Sequence, residues 1–155
     1  MAESVLETQG FDPTAHDGYE QLSAIIDGRL PPAPIAGTIG MVNFEILDRG
    51  SVAVELVPEP RHYNPIGSVH GGVHSTLLDT ACGCAVHSTL AVGEGYTSLD
   101  LTVKFLRPAT VDSGRLRAIG SVIQRGRRTA LAEAKLYDAQ DRLVAHATSS
   151  CMIFS

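Results

Sequence analysis

The chain has 155 residues, 44% of them apolar and 19% charged, with a formal net charge of −5. These values suit one globular domain with a full hydrophobic core, and they exclude a disordered chain or a broadly basic nucleic-acid-binding surface. No apolar run approaches the ~20 residues that span a bilayer, and the opening MAESVLETQGFDPT lacks a basic-then-apolar leader, so a cytoplasmic protein is expected, with no membrane partner.

In HDGYEQLSAIIDGRL, Tyr19, Leu22, Ile25 and Ile26 recur at helical spacing until Gly28 ends the pattern. LPPAPIAG then predicts an extended connector. Residues 1–35 therefore read as an N-terminal helical segment with its connector, and 36–155 as the main domain. Val42, Phe44 and Ile46 alternate with polar partners, as do Val52, Val54 and Leu56, and the DRG between them predicts a hairpin. Pro58, Pro60 and Pro65 mark a long irregular loop.

A long helix is predicted from about His70 to Ala91. Val73, Leu77, Ala81, Cys84 and Ala85 form one apolar stripe, while Leu78, Val86 and Leu90 fall well away from it. A helix apolar nearly all round is an enclosed one. Four strand-like runs follow: YTSLDLTVKFLRP, GRLRAIGSVIQ, TALAEAKLYD and RLVAHATSSCMIF, the last three joined by short turns. The order predicts an α+β fold, a single antiparallel sheet of six strands wrapped around one central helix. Its open edges make pairing with a second subunit a natural expectation. The three cysteines lack C-x-x-C spacing and read as small buried thiols.

Between Asn64 and Gly93, Asp79 is the only Asp, Glu, Lys or Arg. A helical wheel sets it opposite the Val73–Leu77–Ala81 stripe, beside Ser75, Gly83 and Gly72. A carboxylate half-buried there has a raised pKa, which suits a general base, although a structural Asp bonded to a neighbouring hydroxyl fits equally. At the helix start, Gly71 and Gly72 leave backbone N–H groups open to a ligand oxygen, an arrangement that can hold an oxyanion. Two glycines also serve a plain tight turn. Gly71 and Asp79 are eight residues apart, or about 12 Å along a helix, whereas proton transfer needs contact within roughly 3 Å. A site using both is therefore expected between two antiparallel helices of different subunits. His70 and His74 have the spacing of two zinc ligands, but no Glu lies between them and no third ligand stands out, so no metal is expected.

The run NPIGSVHGGVHSTLLDTA resembles the signature of hotdog-fold thioesterases in their phenylacetate-degradation (PaaI-like) branch, as do YTSLDLTVKFLRPA and RRTALAEAKLYDAQDRLVAHATSSCMIF. The resemblance covers roughly residues 39–154. It implies a hotdog fold and hydrolysis of an acyl-CoA to free acid and CoA, with no cofactor beyond the CoA carried by the substrate. It implies that the Gly71 N–H meets the thioester carbonyl, with Gly72 beside it, and that Asn64 orients water or substrate. Asp79 is then base or nucleophile, His70 supports the loop or the carbonyl, and Ser98 or its neighbour Thr97 helps place the water. It also implies a homo-oligomer with sites shared between subunits; a dimer and a dimer of dimers both satisfy this. Gly83 departs from relatives that carry a hydroxyl there. For the CoA phosphates, QRGRRTA offers Arg125, Arg127, Arg128 and Thr129, unless these simply form a solvated hairpin tip; Arg107 is a lesser candidate. A non-catalytic acyl-CoA sensor is the rival reading, and the presence of Asp79 speaks against it.

Overall fold

The computed structural model describes residues 10–155, and the part of the N-terminal expectation that falls on residues 1–9 lies outside them. Helix α1 (Gly18–Ile26) is started by a reciprocal cap: Glu20 N–H donates to Asp17 at 2.8 Å, and Asp17 N–H donates to Glu20 at 2.9 Å. Gly28, at φ +77°, turns the chain away as expected. The proline-rich connector is only partly extended. Pro34 opens a second short helix, α2 (Pro34–Ile39), because proline in a first helical turn has no N–H to lose there.

Strands β1 (Met41–Asp48) and β2 (Ser51–Leu56) form the expected hairpin, with Gly50 at φ +82° in its turn. The enclosed helix α3 runs Gly71–His87, shorter at its C-terminus than the hydrophobic pattern predicts. Ser88 stops it: its hydroxyl donates to the Ala85 carbonyl at 2.7 Å and accepts the Gly50 N–H at 2.7 Å. The next alternating run divides into β3 (Gly95–Ser98) and β4 (Thr102–Phe105), both paired with the same side of β7 (Leu143–Phe154). Asp100 causes the break, since its carboxylate accepts the Ser150 N–H at 2.8 Å, taking a donor the ladder would otherwise use. With β5 (Leu116–Arg125) and β6 (Thr129–Tyr137) the sheet has seven strands rather than six, in the order β1-β2-β5-β6-β7-β3, with β4 beside β7.

Helix α3 lies on this sheet, with Leu77, Ala81 and Cys82 packed among Val54, Leu116 and the alanines 118, 132, 134, 145 and 147. Small side chains let the helix backbone come close. At Gly120 the approach leaves no room for a side chain, because a Cβ there would lie 2.1 Å from the Ala81 carbonyl oxygen. The one carboxylate buried in β2, Glu55, is met by Arg117 at 2.8 Å, Arg115 at 2.9 Å and Asn43 at 2.6 Å. All three cysteines are free thiols, and burial pushes the Cys82 and Cys84 thiols up to about 12. No helix among the described residues is long and apolar enough to cross a membrane.

Candidate active site

The start of α3 is built around His70. Its backbone is extended, and its Nδ1 accepts the Gly72 N–H at 2.8 Å, while its carbonyl takes the Val73 N–H at 2.9 Å. The Gly71 N–H has no acceptor among the described residues, so it is the free donor of this turn. A Cβ at position 71 would stand 2.9 Å from the tip of the Phe105 ring, so a side chain there would push that ring aside. Gly71 lines a pocket of about 480 Å³ together with Asn64, His74, Phe105 and Arg107. Asn64 is largely occupied with its own loop. Its Oδ1 accepts the Ile66 and Ser68 N–H groups at 3.0 and 3.2 Å, and its Nδ2 donates to Ser68 Oγ at 3.1 Å, which leaves one amide hydrogen for a ligand.

His74, which the sequence offered only as a discarded metal ligand, is a wall of this pocket. It is 3% exposed, lies against Phe105 with ring centroids 6.1 Å apart, and neither ring nitrogen has a hydrogen-bond partner. Burial pushes its pKa down to about 4, so the ring is neutral at physiological pH.

Asp79 occupies a different cavity, of about 700 Å³, which it shares with Ser98, Gly83 and Tyr96. It stands on the open face of α3, while Leu77 and Leu78 beside it are fully buried, as the helical wheel requires. Burial by the cavity walls raises the Asp79 pKa, and a hydrogen bond from the Ser98 hydroxyl draws it part of the way back. Side chains alternate along a strand, so Ser98 and Tyr96 share a face of β3 and Thr97 takes the other. Ser98 lines the cavity and Thr97 does not. Where Gly83 lacks a side chain, the Tyr96 hydroxyl fills the gap, 2.9 Å from the place a Cβ would occupy.

The two pockets have no lining residue in common. One chain therefore does not bring the Gly71 amide and the Asp79 carboxylate together; they stand in separate pockets on one helix, about 12 Å apart along it. The basic turn divides too. Arg125 is engaged by Glu94 at 2.6 Å, Thr89 at 3.3 Å and the Gly126 carbonyl, which leaves Arg127 and Arg128 exposed and unpartnered among the described residues, next to the exposed Thr129. None of these four lines either pocket, whereas Arg107 lines the one at Gly71.

The sequence profile of the Thioesterase superfamily matches residues 66–145. A phenylacetic acid degradation-related protein of Ralstonia eutropha JMP134 superposes with a TM-score of 0.76 at 34% identity, covering 84% of this chain and 97% of that one. The Escherichia coli PaaI protein from the phenylacetic acid degradation operon has the same fold, with a TM-score of 0.76 at 23% identity over 89% of this chain and 94% of that one. The medium/long-chain acyl-CoA thioesterase YigI of Escherichia coli K12 is 31% identical over 98 residues, 55% of this chain and 62% of that protein. Human acyl-coenzyme A thioesterase 13 is 31% identical over 71 residues, 46% of this chain and 50% of that protein. The matched stretch thus spans between half and two thirds of the length of these two curated relatives.

Proposed function

This chain belongs to the Thioesterase superfamily and has the hotdog fold, and from that premise we propose that it hydrolyses acyl-CoA thioesters to the free acid and CoA. The observation that carries the proposal is the Asp79 carboxylate, its pKa raised by burial, in an apolar cavity of a helix whose first amide, on Gly71, is free.

The Gly71 N–H donates to the thioester carbonyl and holds the negative charge that develops on its oxygen. His70 keeps that turn in place by capping it, and the remaining amide hydrogen of Asn64 orients the substrate or the water. Asp79 comes from the neighbouring subunit, because its own helix start is too far away. Its carboxylate takes a proton from water held with Ser98, and the water oxygen bonds to the carbonyl carbon. Collapse of the tetrahedral intermediate breaks the C–S bond, and CoA leaves as a thiolate that is then protonated. If Asp79 attacks directly, a mixed anhydride forms first and water cleaves it in a second step. Arg107 and the free pair Arg127 and Arg128 supply cations for the CoA phosphates. The working unit is a homo-oligomer with sites between subunits, placed in the cytoplasm.

Release of free thiol from aryl-, short- and long-chain acyl-CoAs tests this reading. Wild type is expected to turn over at least one, and Asp79→Ala to lose activity by roughly a hundredfold or more, the usual contribution of a positioned base. No turnover across the series overturns the activity, and full activity in Asp79→Ala overturns the role of that carboxylate.

A further inference from the structure

We propose that the cavity roofed by α1 and α2 is the acyl pocket of this site, and that it takes an unsubstituted aliphatic chain of medium or greater length. The inference rests on the thioesterase reading and adds the substrate class. Asp79 and Ser98, which face the reacting carbonyl, line the same cavity as Leu22 and Ile25 of α1 and Ile35 and Ala36 of α2. An acyl group whose carbonyl lies at Asp79 therefore extends under the N-terminal helices.

The walls specify the occupant. Ile26, Ile35 and Val42 line this cavity and are 47%, 46% and 51% exposed, so it presents large apolar side chains with nothing upon them. Polar groups nearby are already bonded: Asn43 donates to Glu55 at 2.6 Å and Thr80 to the Thr76 carbonyl at 2.7 Å. Besides Thr80, the hydroxyls that line the cavity belong to Ser98 and Tyr96 on β3, and none stands on α1 or α2. A polar tail would lose its water under the helices and find no partner there, whereas a hydrocarbon chain covers the exposed isoleucines. At about 700 Å³ the space is far larger than an acetyl group needs.

Initial rates on acetyl-, hexanoyl-, decanoyl-, palmitoyl- and phenylacetyl-CoA test the assignment, with wild type, Ala36→Phe and Ile35→Ala. Wild-type kcat/KM is expected to rise at least roughly tenfold from acetyl- to decanoyl-CoA, as added methylenes enter an apolar pocket. Ala36→Phe is expected to abolish that rise, with an unchanged Tm reporting an intact fold. Ile35→Ala removes wall surface instead of blocking the space, and is expected to lower decanoyl-CoA turnover several-fold and so flatten the chain-length profile. A wild type that prefers phenylacetyl- or acetyl-CoA, or variants with an unchanged length profile, overturns the pocket assignment and leaves the thioesterase reading standing. No turnover of any thioester overturns both.

Discussion

The Asp79 carboxylate titrates under two opposing influences. Burial raises the Asp79 pKa and the Ser98 hydroxyl lowers it. If the ionised carboxylate is the active form, kcat/KM climbs with pH through that pKa, on a limb above the usual carboxylate range. Ser98→Ala removes the lowering contribution, so the limb is expected to move to higher pH; a loss of rate with the limb unmoved contradicts the coupling. His74 titrates against the fold rather than the chemistry. Its pKa is about 4 folded against 6.5 for an ordinary histidine, so between these values the unfolded chain holds the extra proton. Stability is then full above the ordinary value and falls as pH drops towards 4, by on the order of 3 kcal/mol in total. His74→Leu also removes two unpaired buried nitrogens, and is expected to flatten the dependence of Tm on pH across that window. Asp79 was legible because it is a lone charge in an apolar run. The isolation of His74 was not, because it depends on Phe105 and the loop packed over it.

The close approach of α3 to the sheet makes Gly120 the test of the packing. Gly120→Ala sets a methyl 2.1 Å from the Ala81 carbonyl, against backbone that cannot swing aside. A loss of about 1–3 kcal/mol is expected in denaturant unfolding, the usual cost of forcing atoms into a filled core. Period-two alternation revealed β2 and the last three strands because each meets this helix, and β1 because it meets α1 and α2 instead. It did not reveal the division of β3 from β4, because a carboxylate that intercepts a ladder donor leaves the alternation of Leu99, Leu101 and Val103 intact. Proline content likewise concealed α2, since a proline that breaks a helix interior is acceptable in its first turn. The pairing of Arg125 with Glu94 joins positions 31 residues apart, and nothing local in QRGRRTA announces it.

At the scale of the whole molecule, the proposed mechanism calls for a second copy of the chain, because Gly71 and Asp79 line separate pockets. A mixture of Asp79→Ala and Asn64→Ala subunits tests the sharing. Each heterodimer has one site with both defects and one with neither, so random exchange is expected to restore roughly a quarter of wild-type activity to two nearly inactive preparations. No recovery after demonstrated subunit exchange places both groups in one chain. The separation of Gly71 from Asp79 was legible from residue spacing alone, whereas the cavity beside Asp79 was hidden, because it forms only where residues before 40 fold over α3. The notch at Asp100 has a further consequence for this edge of the sheet. Two edge strands of four residues each, β3 and β4, with a charged residue in the gap between them, offer no long straight ladder to a stranger. Short, interrupted edges resist runaway sheet extension. The carboxylate that divides the strand thus also shortens the ladder that this edge of the sheet offers to another chain.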